Sequence, residues 1–163
     1  MITIQAAPLS ADAFAPFGEV IEPGAREALS INAARFERFD GLANIDCHGA
    51  TVNVGLMRCV RTSAPPCDIE LLERHPKGSQ AFLPLDERPY LIGVAPATTT
   101  PDAQALRAFV VPARTGINMR AGIWHIPLLG SALGQTFAVI DRAGDDNCDE
   151  FTLPTPIRIE ASL

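Results

Sequence analysis

No apolar run in this chain approaches the length of a membrane-spanning helix, and no basic leader followed by an apolar segment opens it, so a cytoplasmic protein is expected. Positive charge is not in excess either. Thirteen Lys and Arg against nineteen Asp and Glu give a net charge of −6, and without the basic footprint of a nucleic-acid binder no such partner is expected. Cys47, Cys59, Cys67 and Cys148 show no Cys-x-x-Cys spacing, and 163 residues bury enough core to need no staple, so reduced thiols are expected rather than a disulfide or a thiolate metal site. Internal repeats, low-complexity tracts and long linkers are missing too, which points to one domain spanning residues 1–163.

Punctuation, by contrast, is plentiful. Fourteen prolines and twelve glycines are scattered through the sequence and argue against long helices, while 47% apolar residues are too many for a disordered chain. Ile2 to Gln5 reads as a strand, and Leu9 to Phe17 as a short helix capped by Ser10, with Asp12 near the positive end of its dipole and Gly18 at its close. Glu19 to Glu22 and Ala28 to Phe39 read as extended or irregular. Thr51 to Val60 is a strand with Val52, Val54, Leu56 and Arg58 on alternate positions, and Tyr90 to Ala95 is a continuous apolar strand. Thr100, Pro101 and Asp102 open a second short helix ending near Arg107. Strands follow at Ala108 to Val111, Ile117 to Arg120, Ile123 to Leu128 and Gln135 to Asp141, and the tail after Asp145 is polar and then interrupted by proline. About ten short strands with frequent turns indicate an all-β fold, a sandwich or barrel, with a jelly-roll β-barrel and a few short helices as the preferred reading.

Chemistry concentrates in Glu70 to Leu85. In extended chain Glu73 and His75 share one face and Arg74 takes the other, while Pro76, Lys77, Gly78 and Ser79 supply a turn. The strand carrying Glu73 and His75 is therefore expected to fold back beside the one starting near Gln80, so that three polar groups converge on a cavity. Histidine is scarce: His48, His75 and His125 are the full set. His48 sits in a turn-like Asp46-Cys47-His48-Gly49. His125 alternates with Trp124, so a core-facing Trp124 turns His125 toward the opposite side.

Glu73, His75, Gln80, and His125 behind Gly122 occupy the four places of the cupin metal pattern: a ligand, a second two residues on, a third about five later, and a histidine on a later strand. Here two histidines, one glutamate and one glutamine stand where three histidines and a glutamate are usual, and glutamine is a weak, neutral ligand. A divalent ion on these residues and a metal-free pocket, in which Glu73 orients His75 as a base, are both open readings. Arg58, Arg74 and Arg120 are the candidate anchors for a substrate carboxylate, since a guanidinium can hold one through paired hydrogen bonds. Asp141 to Asp149 is an acidic loop, a lid or a subunit contact.

Further islands extend the pattern. Pro8-Leu9, Phe14, Phe17-Gly18 and Val20-Ile21, then Ile31-Asn32 and Glu37-Arg38-Phe39, precede Glu73-Arg74-His75-Pro76 and Gly78-Ser79-Gln80-Ala81-Phe82 with Pro84. Gly116, Asn118, Trp124-His125, Pro127-Leu128, Asp141-Arg142 and Asp146-Asn147-Cys148 follow. In these islands the sequence resembles the ureidoglycolate lyase family of allantoin degradation, formerly called ureidoglycolate hydrolase. The resemblance implies a cupin-like barrel, usually a homodimer, that splits ureidoglycolate into glyoxylate and urea during purine catabolism, with nickel as the cofactor attached to bacterial members and no organic cofactor. For that cleavage, Glu73, His75 and His125 are expected to share the catalytic proton transfers, Gln80 to hydrogen-bond the urea or the hydroxyl, and Arg58, Arg74 or Arg120 to anchor the carboxylate. Ile126 and Arg120 stand where the family often has histidine, and Lys77 where it often has an apolar residue, so no role can be carried over onto those imidazoles. The rival readings are an amidohydrolase that releases ammonia and carbon dioxide from ureidoglycolate, and a non-catalytic cupin that binds a small organic acid.

Overall fold

Turn residues divide the chain into strands, and hydrophobic alternation decides which face each strand buries. The computed structural model describes residues 2–162. Strands β1 (Ile2–Gln5) and β2 (Ala7–Pro8) precede helix α1 (Ala11–Phe14), where Ser10 accepts from the Ala13 amide at 3.2 Å as the N-cap. Then come β3 (Gly18–Ile21), β4 (Leu29–Ile31), β5 (Phe36–Arg38), β6 (Val52–Arg58), β7 (Cys67–Arg74), β8 (Gln80–Pro84) and β9 (Tyr90–Ala95). The chain ends with β10 (Arg107–Val111), β11 (Gly116–Met119), β12 (Trp124–His125), β13 (Thr136–Arg142) and β14 (Asp149–Glu160).

Two sheets carry the fold: a seven-stranded one in the order β1-β14-β7-β12-β9-β10-β2 and a five-stranded one in the order β3-β11-β8-β13-β6. Because β1 runs parallel to β14 while β2, one residue on, runs parallel to β10, a single stretch of chain joins the two ends of the larger sheet. That sheet curls around its own core of Leu72, Leu91, Trp124, Ile126, Ile157 and Ile159. Its other face packs on the five-stranded sheet through Tyr90, Ile92, Val94 and Phe109 against Phe82, Ile117 and Phe137. Both faces of β9 are thus covered, which is why its six residues are all buried and why its sequence is apolar without alternation. The result is a cupin-like β-barrel.

Four expectations are corrected. The strand bearing Glu73 does not pair with the strand bearing Gln80: β7 and β8 belong to different sheets, and the turn at Pro76 to Ser79 carries the chain across the barrel rather than back along one sheet. The helix from Thr100 to Arg107 shrinks to a 3-10 turn at Ala103–Ala105, capped by Asp102, whose side chain accepts from the Gln104 amide. Ile123 to Leu128 is strand only at Trp124 and His125. The tail contains the longest strand, β14; its prolines fall where the register with β7 shifts between Thr152 and Ile157, so the ladder loses little by them.

Gly18 is where β3 comes nearest its neighbour. A Cβ there would lie 1.8 Å from the backbone oxygen of Asn118, so no side chain fits without parting β3 from β11. Gly18→Ala is expected to destabilise the fold by about 3 kcal/mol and lower Tm by about 8 °C, measured by calorimetry.

Candidate functional site

One end of the barrel holds the polar cluster, and strand parity builds it. His125 on β12 pairs with Glu73 on one side and Val94 on the other, so both functional side chains share the face whose remaining members form the inter-sheet core. Trp124 packs into the second core, 2% exposed, against Leu72 and Phe151, which fixes the opposite face for His125. His75 follows directly after β7, where its carbonyl accepts from the Gly122 amide at 2.9 Å. Gly122 has φ +80°, so the loop leading into β12 turns there at little cost and stays tied to His75.

Glu73, His75 and His125 each offer a ligand atom, and those atoms all lie within 4.8 Å of one another. The His75 and His125 ring centroids are 5.2 Å apart, and His125 Nε2 lies 3.4 Å from a Glu73 carboxylate oxygen. Each imidazole is tethered through Nδ1: His75 donates to the Asn147 carbonyl at 2.5 Å, and His125 to the Ile123 carbonyl at 3.1 Å. A carbonyl only accepts, so Nδ1 carries the hydrogen on both rings and Nε2 is the free position. Both Nε2 atoms are buried without a hydrogen-bond partner.

Acceptors therefore lie close together in a largely buried cluster, an arrangement that calls for a proton or a cation between them. Burial pushes the Glu73 carboxyl up, but the adjacent His125 and His75 imidazoles, which favour its anionic form once they carry a second proton, outweigh that, and the group sits below its ordinary value. The same donor set fits a divalent cation: two imidazoles whose Nδ1–H is held by a carbonyl, plus one carboxylate, is the way protein ligands present themselves to such ions.

Gln80 is buried at the start of β8, on the inward face that it shares with Phe82. Its Nε2 donates to Asp141 at 3.2 Å, and Asp141 also accepts from Asn53 at 2.9 Å. Its Oε1 is buried and unpartnered among the described residues. Asp141 alternates with Val139 and Phe137 on β13, so the period-2 pattern carried the signal for its inward position. The tethers on the carbonyls of Ile123 and Asn147 have no signal in the sequence, because a backbone carbonyl belongs to every residue.

The segment after β13 covers His75. Asn147 is buried; its carbonyl holds the imidazole and its side chain accepts from the Lys77 amide at 2.6 Å. Asp146 secures this segment by accepting from Lys77 Nζ and Arg142, each at 2.6 Å, and these two cations hold its carboxyl down to about 2.

The three candidate arginines stand apart from the cluster. Arg74 points to the other face of β7, donates to Asp149 and the Thr98 carbonyl, and stacks 4.6 Å over Trp124. Arg120 donates to the Ala15 carbonyl and pairs with Glu19 on the outside of the smaller sheet. Arg58 ends β6 opposite Thr136, five positions along the strand from the Asn53 that meets Asp141. His48 takes up a turn, with φ +47° and its amide donating to Asp46.

The sequence profile of a family described as Ureidoglycolate lyase matches residues 1–160. A Burkholderia mallei protein named Ureidoglycolate lyase is 43% identical over 157 residues, covering 94% of this chain and 91% of the relative. Proteins of the same name from Pseudomonas syringae pv. tomato and Pseudomonas fluorescens are 43% and 42% identical over 152 and 153 residues, each covering 92% of this chain and, in turn, 89% and 91% of the relative.

Isothermal titration of the metal-free protein with nickel or cobalt(II) is expected to show about one ion per chain, released by acid as the imidazoles protonate. Loss of an outer-shell partner typically weakens a metal site about 10–100-fold, so His125→Ala, which removes a ligand, is expected to weaken this one by at least about 100-fold.

Proposed function

Since the chain belongs to the ureidoglycolate lyase family, we propose that it splits ureidoglycolate into glyoxylate and urea at the Glu73, His75 and His125 cluster. The substrate is a hemiaminal whose central carbon carries a carboxylate, a hydroxyl, a hydrogen and a urea nitrogen. Cleavage moves one proton: it leaves the hydroxyl as the new carbonyl forms, the carbon–nitrogen bond breaks, and a proton arrives on the departing nitrogen. No water is consumed and nothing is oxidised. The observation that carries this reading is the pair of buried Nε2 atoms, neither with a hydrogen-bond partner, beside a carboxylate.

A free Nε2 accepts the hydroxyl proton, Glu73 at 3.4 Å stabilises the imidazolium that results, and the same ring or its neighbour returns the proton to nitrogen. Fixing Nδ1 on a carbonyl leaves Nε2 as the atom through which each ring exchanges protons. A divalent ion held by Glu73, His75 and His125 would lower the pKa of the hydroxyl and polarise the carboxylate. Purified protein given racemic ureidoglycolate is expected to yield urea and glyoxylate in equal amounts. Ammonia in place of urea would mark an amidohydrolase, and binding without turnover would mark a non-catalytic acid-binding cupin. Glu73→Gln, nearly the same shape, is expected to lower kcat by about 100-fold or more with little change in Tm.

One domain spanning residues 1–163 is part of this reading, and the closure of β1 and β2 onto strands from later in the chain supports it. Four free thiols fit a reducing compartment such as the cytoplasm, and no helix among the described residues is long and apolar enough to cross a membrane. A homodimer forms in this reading through the outer face of β6. That strand is the edge of its sheet, and its Val54 and Leu56 are 71% and 72% exposed beside a half-exposed Val52. A second copy related by a two-fold axis would cover this apolar row and pair the open edge. Analytical ultracentrifugation is expected to give a dimer for the wild type and a folded monomer for Leu56→Lys.

A further inference from the structure

Gln80, Asp141 and Asn53 form a chain of side chains whose hydrogen bonds have only one consistent direction. A carboxylate is an acceptor at both oxygens, so Asp141 takes Nδ2 of Asn53 at 2.9 Å on Oδ1 and must take the amino end of the Gln80 amide at 3.2 Å on Oδ2. The free amide of a glutamine has no such preference and can turn end for end. Here the turn would set the Gln80 oxygen against a carboxylate oxygen and leave its amino group without an acceptor. The lock leaves Oε1 as the atom that Gln80 presents to the interior, buried and without a donor among the described residues.

An acceptor held in that way matches a ligand with N–H groups. Resting on the lyase reading above, we propose that Gln80 is the specificity-determining residue that accepts from the ureido N–H of the substrate, and that Asp141 is the positioning residue that keeps its amide oxygen inward. A site built on such an acceptor favours a terminal ureido group over an ester-like or ether-like end, because an oxygen placed there meets Oε1 with lone pairs on both sides.

Two analogues of similar size separate this from a packing role: ureidoglycolate methylated on its terminal nitrogen, which keeps one terminal N–H, and the carbamate in which a methoxy oxygen replaces that nitrogen. The wild type is expected to prefer the N-methyl compound at least about tenfold in kcat/KM. Asp141→Ala is expected to reduce that preference to within about threefold, chiefly through a higher KM for the N-methyl compound, while Asp141→Asn, which still offers an oxygen to Gln80, retains most of it. If Asp141→Ala fails to fold, Gln80→Met carries the same comparison, since it removes the acceptor and leaves Asp141 paired with Asn53. A preference that stays at the wild-type ratio in these variants, with both substrates slowed alike, overturns the assignment and leaves the lyase reading standing. A wild type that does not turn over ureidoglycolate at all overturns both.

Discussion

Two backbone carbonyls, those of Ile123 and Asn147, decide what the polar end of this barrel can do. By holding the Nδ1–H of His125 and His75 they fix the tautomer of each ring and leave a bare Nε2 beside the Glu73 carboxylate. Without them a buried histidine pair beside a carboxylate would have several proton arrangements of similar energy. With them, Nε2 of each ring and the Glu73 carboxylate form a set of acceptors that a proton, a cation or a substrate hydroxyl must satisfy.

The barrel keeps this set rigid. His125 lies on a two-residue strand between β7 and β9, and both faces of that part of the sheet are packed, one against Trp124 and Leu72 and the other against Val94 and its inter-sheet neighbours. A short strand of this kind has little freedom to rotate, because turning His125 outward would bring Trp124 into the polar cluster. The Asn147 tether is built differently: it belongs to a connecting segment, and that segment is pinned by Asp146 between Lys77 and Arg142 and by Asn147 on the Lys77 amide. One imidazole is therefore positioned by the sheet and the other by a charged clasp at the surface.

Much of this was legible in the residues. Turn chemistry bounded the short strand at Ile2–Gln5 and a continuous apolar run marked the one at Tyr90–Ala95, both to the residue, and parity alone separated His125 from Trp124. Spacing suggested that residues 73, 75, 80 and 125 belong together, but it assigned Glu73 and Gln80 to one hairpin, since a Pro-Lys-Gly-Ser turn is equally compatible with reversing within a sheet and with crossing between two. Charge was the weakest guide. An arginine near a motif is free to bind a substrate or to hold the fold, and Arg74 and Arg120 are engaged with Asp149, Glu19 and backbone carbonyls away from the cluster. The strand in the tail was hidden because Pro154 and Pro156 read as breakers, whereas a register shift absorbs them.

Long-range proton–nitrogen NMR of the histidine rings, followed across a pH titration of the metal-free protein, bears on the central point without any assay of turnover. The expected spectra show Nδ1 of His75 and His125 protonated at every pH, with only Nε2 gaining and losing its proton. A ring that carries its proton on Nε2 and leaves Nδ1 bare in the neutral state would contradict the carbonyl tethers and remove the basis for an inward-facing base at this site.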